Sequence, residues 1–352
     1  MSYSSENLLG PKARIKDVRD FVKILGYQKH GVWTSERRKF EDYVWFESAD
    51  YKSWSGVELT IYKSLSGALA VSTRTTVSRS YYDLEQQNST ISTLLKYFGG
   101  TFKTDEGARR YLRPQGNPPT PAASGCHLAF VRFGSNLIRA IQYLQENARA
   151  HTAPTNALLV TLGLDHRTLS SNMLNAFCVS IVEDYLKSCF IALLKYSEKK
   201  ETFFRSARLH ADSLARIANR EMNFEEAIAE SMSFQKISSA CRNLANIDAS
   251  LDIASVLRKP YRRRAQSFFD QLSEMVDRRH RFVHRAEADR TLSYQGLREL
   301  LYDLDEAMTR VQRKICDANG WAFEKTWGIG RRSAKTGKTG VALPLPDEDK
   351  KP

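Results

Sequence analysis

Two histidines four residues apart, His280 and His284, lie in the run DRRHRFVHR (Asp277 to Arg285) together with four arginines. On a helix that spacing puts both imidazoles on one face. Imidazole, with an ordinary pKa near ~6.5, takes and returns protons at neutral pH, and guanidinium presents phosphate with a fork of donors. The chemistry open to such a set is acid–base cleavage of RNA, in which a 2′-hydroxyl attacks the neighbouring phosphate. Zinc binding is the competing use of two histidines. H-E-x-x-H is lacking, however, and no nearby cysteine or third histidine completes a ligand set. Neither a metal nor another cofactor is expected.

A helical wheel sharpens the point. With Phe268 at zero, Leu272, Met275, Val276, Phe282 and Val283 fall within about 80° of it and form an apolar stripe. Arg279 lands near ~20°, in the middle of that stripe. An unpartnered guanidinium facing a dry core carries a penalty of several kcal/mol. Arg279 must pair with a buried acid, reach to an edge, or open into a cleft or subunit interface where an anion arrives. Between Arg258 and Arg285 nine Lys/Arg stand against three acids. Such a field concentrates a phosphate backbone.

The elements that must position these residues follow from the whole chain. Its 352 residues suffice for two domains, and the net charge of +13 favours polyanionic partners. Five scattered cysteines without a C-x-x-C pair argue against a disulfide framework or a zinc ribbon. MSYSSENLLGPKARIKD lacks the layout of a secretion signal, and no apolar run approaches the ~20 residues that span a bilayer. A soluble, cytoplasmic protein without membrane contact is expected.

Residues 1–112 read as a small α+β domain. Val18, Phe21, Val22 and Leu25 recur at helical spacing before Gly26, KFEDYVWFES suits a strand, and VELTIYKSLSGALAVSTRT suits a hairpin turning at Ser66-Gly67. A second helix through Ile91, Leu94, Leu95 and Phe98 stops at Gly99-Gly100. Four of the ten prolines fall in residues 113–125, which read as a linker. Residues 126–327 carry helical periodicity and read as an all-α helical bundle, so the chain is mainly α overall. Residues 328–352 read as a disordered polar tail. The six helical segments are 126–148, 171–200, 203–222, 224–247, 260–285 and 293–320, with Ser293 a cap and Pro260 a breaker.

Arg279, the polar His280 straight after it, and His284 reproduce the R-x4-H pattern of the HEPN superfamily. MVDRRHRFVHR resembles that motif in its flanks too, ending a helix and leading through AEADRTLS into another amphipathic helix. CVSIVEDYLKSCF resembles the family's first core helix, with Glu183 or Asp184 as the acid among apolar positions. The likeness covers residues 165 to 320 and is closest to the toxin and phage-defence branch. It implies a four- or five-helix bundle that forms a homodimer, so that two motifs meet in one composite, metal-independent endoribonuclease site. It implies that Arg279 binds the scissile phosphate, that His284 is the main acid/base group, and that His280 orients the phosphate or shares proton transfer. Glu183 and Asp184 are candidate helpers; the bland use of each is solvation or a salt bridge. An antitoxin or a phage-derived trigger would be a further partner.

Arg262, Arg263 and Arg264 in PYRRRAQ, with Arg278, Arg281 and Arg285, are candidate contacts to the RNA backbone, or simply a basic helix face. Arg279 and His284 are ~140° apart on an ideal helix. Either the helix loosens near its end or residues of two protomers cooperate. SAKTGKTG fails as a phosphate loop, because Arg332 stands where the pattern needs glycine. His30, His127, His151, His166 and His210 are isolated and read as structural, and the Met and aromatic residues of NMLNAFCVSIVEDYL read as core. In the first domain Arg74, Arg79, Arg109 and Arg110 alternate with tyrosines, which suits a sensor or specificity module that stacks bases, or an ordinary sheet face. The alternatives to a nuclease are a non-catalytic HEPN-like module that binds RNA or nucleotide, and an adaptor for an acidic protein.

Overall fold

The computed structural model describes residues 2–35, 38–114, 116–148, 165–261, 265–330 and 341–342. The fold is mixed α+β and mainly helical, in two compact units, Met1–Ser124 and Gly125–Pro352.

The first unit comprises β1 (Tyr3–Leu9), α1 (Ile15–Ile24), β2 (Gln28–Ser35), β3 (Arg38–Trp45), β4 (Val57–Lys63), β5 (Leu69–Thr75), α2 (Tyr81–Phe98), β6 (Gly100–Thr104) and β7 (Gly107–Ala108). Its strands make one antiparallel sheet in the order β2-β3-β4-β5-β1-β6-β7. Alternation in β4 sends Val57, Leu59 and Ile61 inward, where they pack with Val18 and Val22 of α1 and Leu94 of α2. The polar strand β1, not expected from the sequence, lies between β5 and β6. Its inward Ser5 hydroxyl bonds that of Thr73 at 2.5 Å, and its inward Asn7 amide donates to the carbonyl of Ile91 at 3.2 Å. A strand with this composition persists in a core because the Ser5 hydroxyl and the Asn7 amide nitrogen find partners there, although the Asn7 amide oxygen finds none. Ser80 and Asp83 cap α2 reciprocally, and Asp83 also accepts the N–H groups of Trp54 and Ser55, which pins that loop. Gly100 has φ +98, and a Cβ there would lie 2.0 Å from the carbonyl oxygen of Leu8.

The second unit is helical: α3 (Pro121–Glu146), α4 (His166–Lys195), α5 (Lys200–Ser206), α6 (Ala211–Ala218), α7 (Phe224–Ser231), α8 (Ile237–Ile247), α9 (Ile253–Arg258), α10 (Phe268–Arg285) and α11 (Tyr294–Asn319). α3 begins inside the proline-rich stretch read as linker, since proline fits the first turn of a helix, where its missing N–H leaves no bond unmade. Two of the expected segments are broken in two, and a third is shorter than expected. Residues 203–222 hold the end of α5 and all of α6, residues 224–247 hold α7 and α8, and α10 begins only at Phe268, after Ser267 caps it.

α4 is buried on most sides and organises the core. Its Tyr185 ring meets Phe130 and Phe133 of α3, and its hydroxyl donates to Gln312 of α11 at 2.8 Å. All five cysteines are free and buried. Past α11 the chain doubles back, and Trp327 lies over Phe130 with centroids 4.3 Å apart. The Trp327 indole N–H donates to Asp305, and Lys325 reaches both oxygens of the same carboxylate at 2.8 Å. A Cβ at Gly134 would stand 2.3 Å from that indole. Of the tail expected from residue 328, Ile329–Gly330 and Val341–Ala342 pair in parallel, while 331–340 and 343–352 lie outside the described residues. No helix among the described residues is long and apolar enough to cross a membrane.

Candidate functional site

The site is built on α10 and the helix it packs against, α4. Ser267 accepts the Asp270 N–H at the start of α10, and the helix then runs unbroken to Arg285. Its apolar stripe is buried at Phe268, Leu272 and Met275, half-buried at Val276 and Phe282, and exposed at Val283. The stripe thus leaves the core halfway along, where Arg279 stands. Asn175 of α4 donates to the Met275 carbonyl at 3.2 Å, one turn before Arg279.

Arg279 combines the first two readings, because it pairs with an acid, but one that is only half-buried. Its Nη1 donates to Glu183 Oε2 at 3.3 Å, and the two side chains are 28% and 26% exposed. The pair is therefore at an edge. Partly solvated ion pairs contribute about 0–1 kcal/mol, so this one restrains Arg279 without locking it. Beside it, Val179, Val182 and Leu186 of α4 face Leu272 and Met275 of α10 across a small apolar recess. Asp184, the other candidate acid, faces away. It accepts Arg132 of α3 at 2.9 and 3.3 Å, in an exposed salt bridge. One residue around the helix separates a partner of the motif from a tie to α3.

The two imidazoles are exposed and in contact, with ring centroids 4.8 Å apart and planes tilted by 48°. α10 does not loosen before Arg285, so Arg279 turns to α4 while His280 and His284 turn outward. Arg281 and Arg285 are exposed as well. Arg278 is not like them. Its guanidinium bonds Glu274 and, at 3.0 Å, Asp289, and it is 19% exposed. Arg262, Arg263 and Arg264 lie outside the described residues. Among the described residues no group of His, Cys, Asp and Glu gathers in a metal-binding arrangement.

The reading of the Met and aromatic residues of NMLNAFCVSIVEDYL as core is corrected at two positions, while Tyr185 is buried. Met173 and Phe177 are 57% and 40% exposed and, with Leu169 at 53%, form a row at four-residue spacing on the outer side of α4. The sequence carried the signal, since four-residue steps alternating with buried positions show more apolar faces than one core needs. Among the isolated histidines, His127 is buried and its pKa is pushed down to about 4 by burial. His30, His166 and His210 are exposed, and His151 lies outside the described residues. In the first unit Arg79 stacks on Tyr3 at 3.7 Å and donates to the Thr76 carbonyl, so it serves its own fold. Arg74, Arg109 and Arg110 are exposed.

Set against known proteins, the chain matches no family model, no curated protein and no solved structure.

Proposed function

We propose that the second unit is a HEPN-like bundle that cleaves RNA without a metal, at a composite site in a homodimer. The observation that carries this reading is the pair of touching, exposed imidazoles one turn apart, beside an edge arginine in a basic field. One imidazole removes the 2′-hydroxyl proton as that oxygen bonds to phosphorus. The other protonates the 5′-oxygen as its bond to phosphorus breaks, leaving a 2′,3′-cyclic phosphate and a 5′-hydroxyl. Arg279 has donors left beyond its one bond to Glu183 and can offset charge growing on the phosphate. Arg281 and Arg285 guide the backbone, and Glu183, not Asp184, is the helper. Arg279 and His284 diverge on a regular helix, so the phosphate seen by His284 of one protomer is held by Arg279 of its partner. The exposed row Leu169, Met173 and Phe177, with Val283, gives that second copy an apolar surface to cover. A role in phage defence or a toxin system, in the cytoplasm, rests on the family likeness.

Binding without cleavage is the second reading, favoured by the same divergence within one chain. Incubating the protein and its His284→Ala and Arg279→Ala variants with cellular RNA in EDTA, then mapping the ends, separates the two. Cuts ending in cyclic phosphate and abolished in both variants support the nuclease; salt-sensitive binding without cuts supports the module. Absence of any RNA affinity leaves the adaptor.

A further inference from the structure

The seven residues between α10 and the cap of α11, Ala286 to Leu292, bury almost no apolar surface, yet they are tied down closely. Ala286 adopts φ 55, and its N–H and that of Glu287 both close on the Arg281 carbonyl. Asp289 is bonded at every polar group. Its N–H donates to Asn172 Oδ1 at 2.9 Å, and its carbonyl accepts from Asn172 Nδ2 at 3.0 Å. One carboxylate oxygen accepts the Thr291 N–H and hydroxyl at 2.8 and 2.6 Å, and the other forms an ion pair with Arg278 Nε at 3.0 Å. Burial opposes ionisation of Asp289, but the Thr291 bonds and the charges of Arg278 and Arg281 outweigh it and hold the carboxyl below the usual carboxylate range.

Asn172 is 1% exposed, and its amide copies a peptide group, bonded on both its N–H and its C=O side. It also donates to the Thr168 carbonyl at 2.7 Å, which anchors the loop to the first turns of α4. On the other side, Arg278 ties Asp289 back to α10 itself and shares Glu274 one turn earlier. The last turn of α10 lies between these two anchors. Arg281 and Arg285, one turn apart and both exposed, repel each other across it.

We propose that Asn172, Arg278 and Asp289 form a brace that holds the last turn of α10, and with it the ring of His284, in position. They are positioning residues for the cleavage proposed above; only the catalytic consequence rests on that reading, because the positioning itself is measured without RNA.

The test uses Asp289→Asn in the full chain, with Arg278→Gln breaking the same contact from the other side should the first variant fold poorly. With 13C-labelled histidine rings, the His284 signal shifts and broadens while that of His127 stays. Amides 282–287 exchange about tenfold faster relative to those of the first half of α10. On RNA, kcat falls by up to ~10²-fold with KM little changed, as expected for a displaced catalytic group. Asp289→Glu, which keeps the charge, restores part of the loss. An unmoved His284 ring and unaltered exchange in both variants overturn the brace, whether or not the wild type cuts RNA. If the wild type cuts no RNA while the ring and the amides respond, the brace stands and the nuclease reading falls.

Discussion

α10 and α11 are built on one plan and left in different states. Each begins at a serine whose hydroxyl accepts a backbone N–H three residues on, Asp270 after Ser267 and Gly296 after Ser293. Each ends in a left-handed residue, Ala286 and Gly320. α11 keeps its apolar face buried from Leu297 to Cys316, however, whereas α10 buries Phe268 to Met275 and then carries Arg279, Val283 and two histidines into the open. Helix formation is equally well provided for in both, so it does not explain the difference. What differs is cover, and a helix that keeps its shape after losing its cover is where a ligand or a partner finds room.

The largest effect separating the two helices is expected in catalysis. His284→Ala lowers the rate of RNA cleavage by ~10²–10⁴-fold, the range for loss of a general acid or base. Asp317→Ala, at the matching end of α11, leaves it unchanged. Equal losses in single-turnover assays would erase the contrast. Stability reverses the order. Leu304→Ala, inside α11, costs about 2–5 kcal/mol in urea unfolding, while Val283→Ala stays within about 0.5 kcal/mol and instead weakens self-association in light scattering.

The histidines extend the contrast to pH. His127 is neutral in the fold, with its pKa pushed down to about 4, whereas an unfolded histidine keeps ~6.5. The unfolded chain therefore takes up the proton first, and stability is complete above pH ~6.5 and is lost as the pH falls towards 4, by roughly 3 kcal/mol. Unfolding curves of wild type and His127→Asn at pH 7.5 and 4.5 should diverge by that amount; parallel pH dependence would show that burial does not depress the His127 pKa. The smallest effect is at the two ends. Ala286→Gly relieves a left-handed alanine and stabilises by about 1 kcal/mol, while Gly320→Ala costs about as much. A matching sign in thermal melts of the two variants would show that the caps are not equivalent.

The legibility of each element in sequence follows how local its causes are. α11 was readable to the residue because Ser293 and Gly320 act within one turn of themselves. The start of α10 is less legible, because the cap at Ser267 is an ordinary serine among polar residues. β1 was unreadable: Ser5 and Asn7 suit a core only once Thr73 and Ile91 are brought to them. The anomaly of Arg279 was visible on the wheel, but the choice of Glu183 over Asp184 was not. Adjacent residues point ~100° apart, and only the placement of α3 and α10 on either side of α4 decides which acid meets which arginine. The half-buried setting of Arg278 is not legible locally, because the loop bonds that surround its partner Asp289 come from 117 residues away.

Gly134 has an equally remote cause, since it leaves a flat slot that the Trp327 indole fills. A chain shortened before Lys325 would leave the slot vacant and deprive the Asp305 carboxylate of its ammonium and indole partners. Fluorescence of Trp327 thus reports directly on whether the returning segment is seated. Gly134→Ala offers a way to unseat it while leaving the composition of that segment intact.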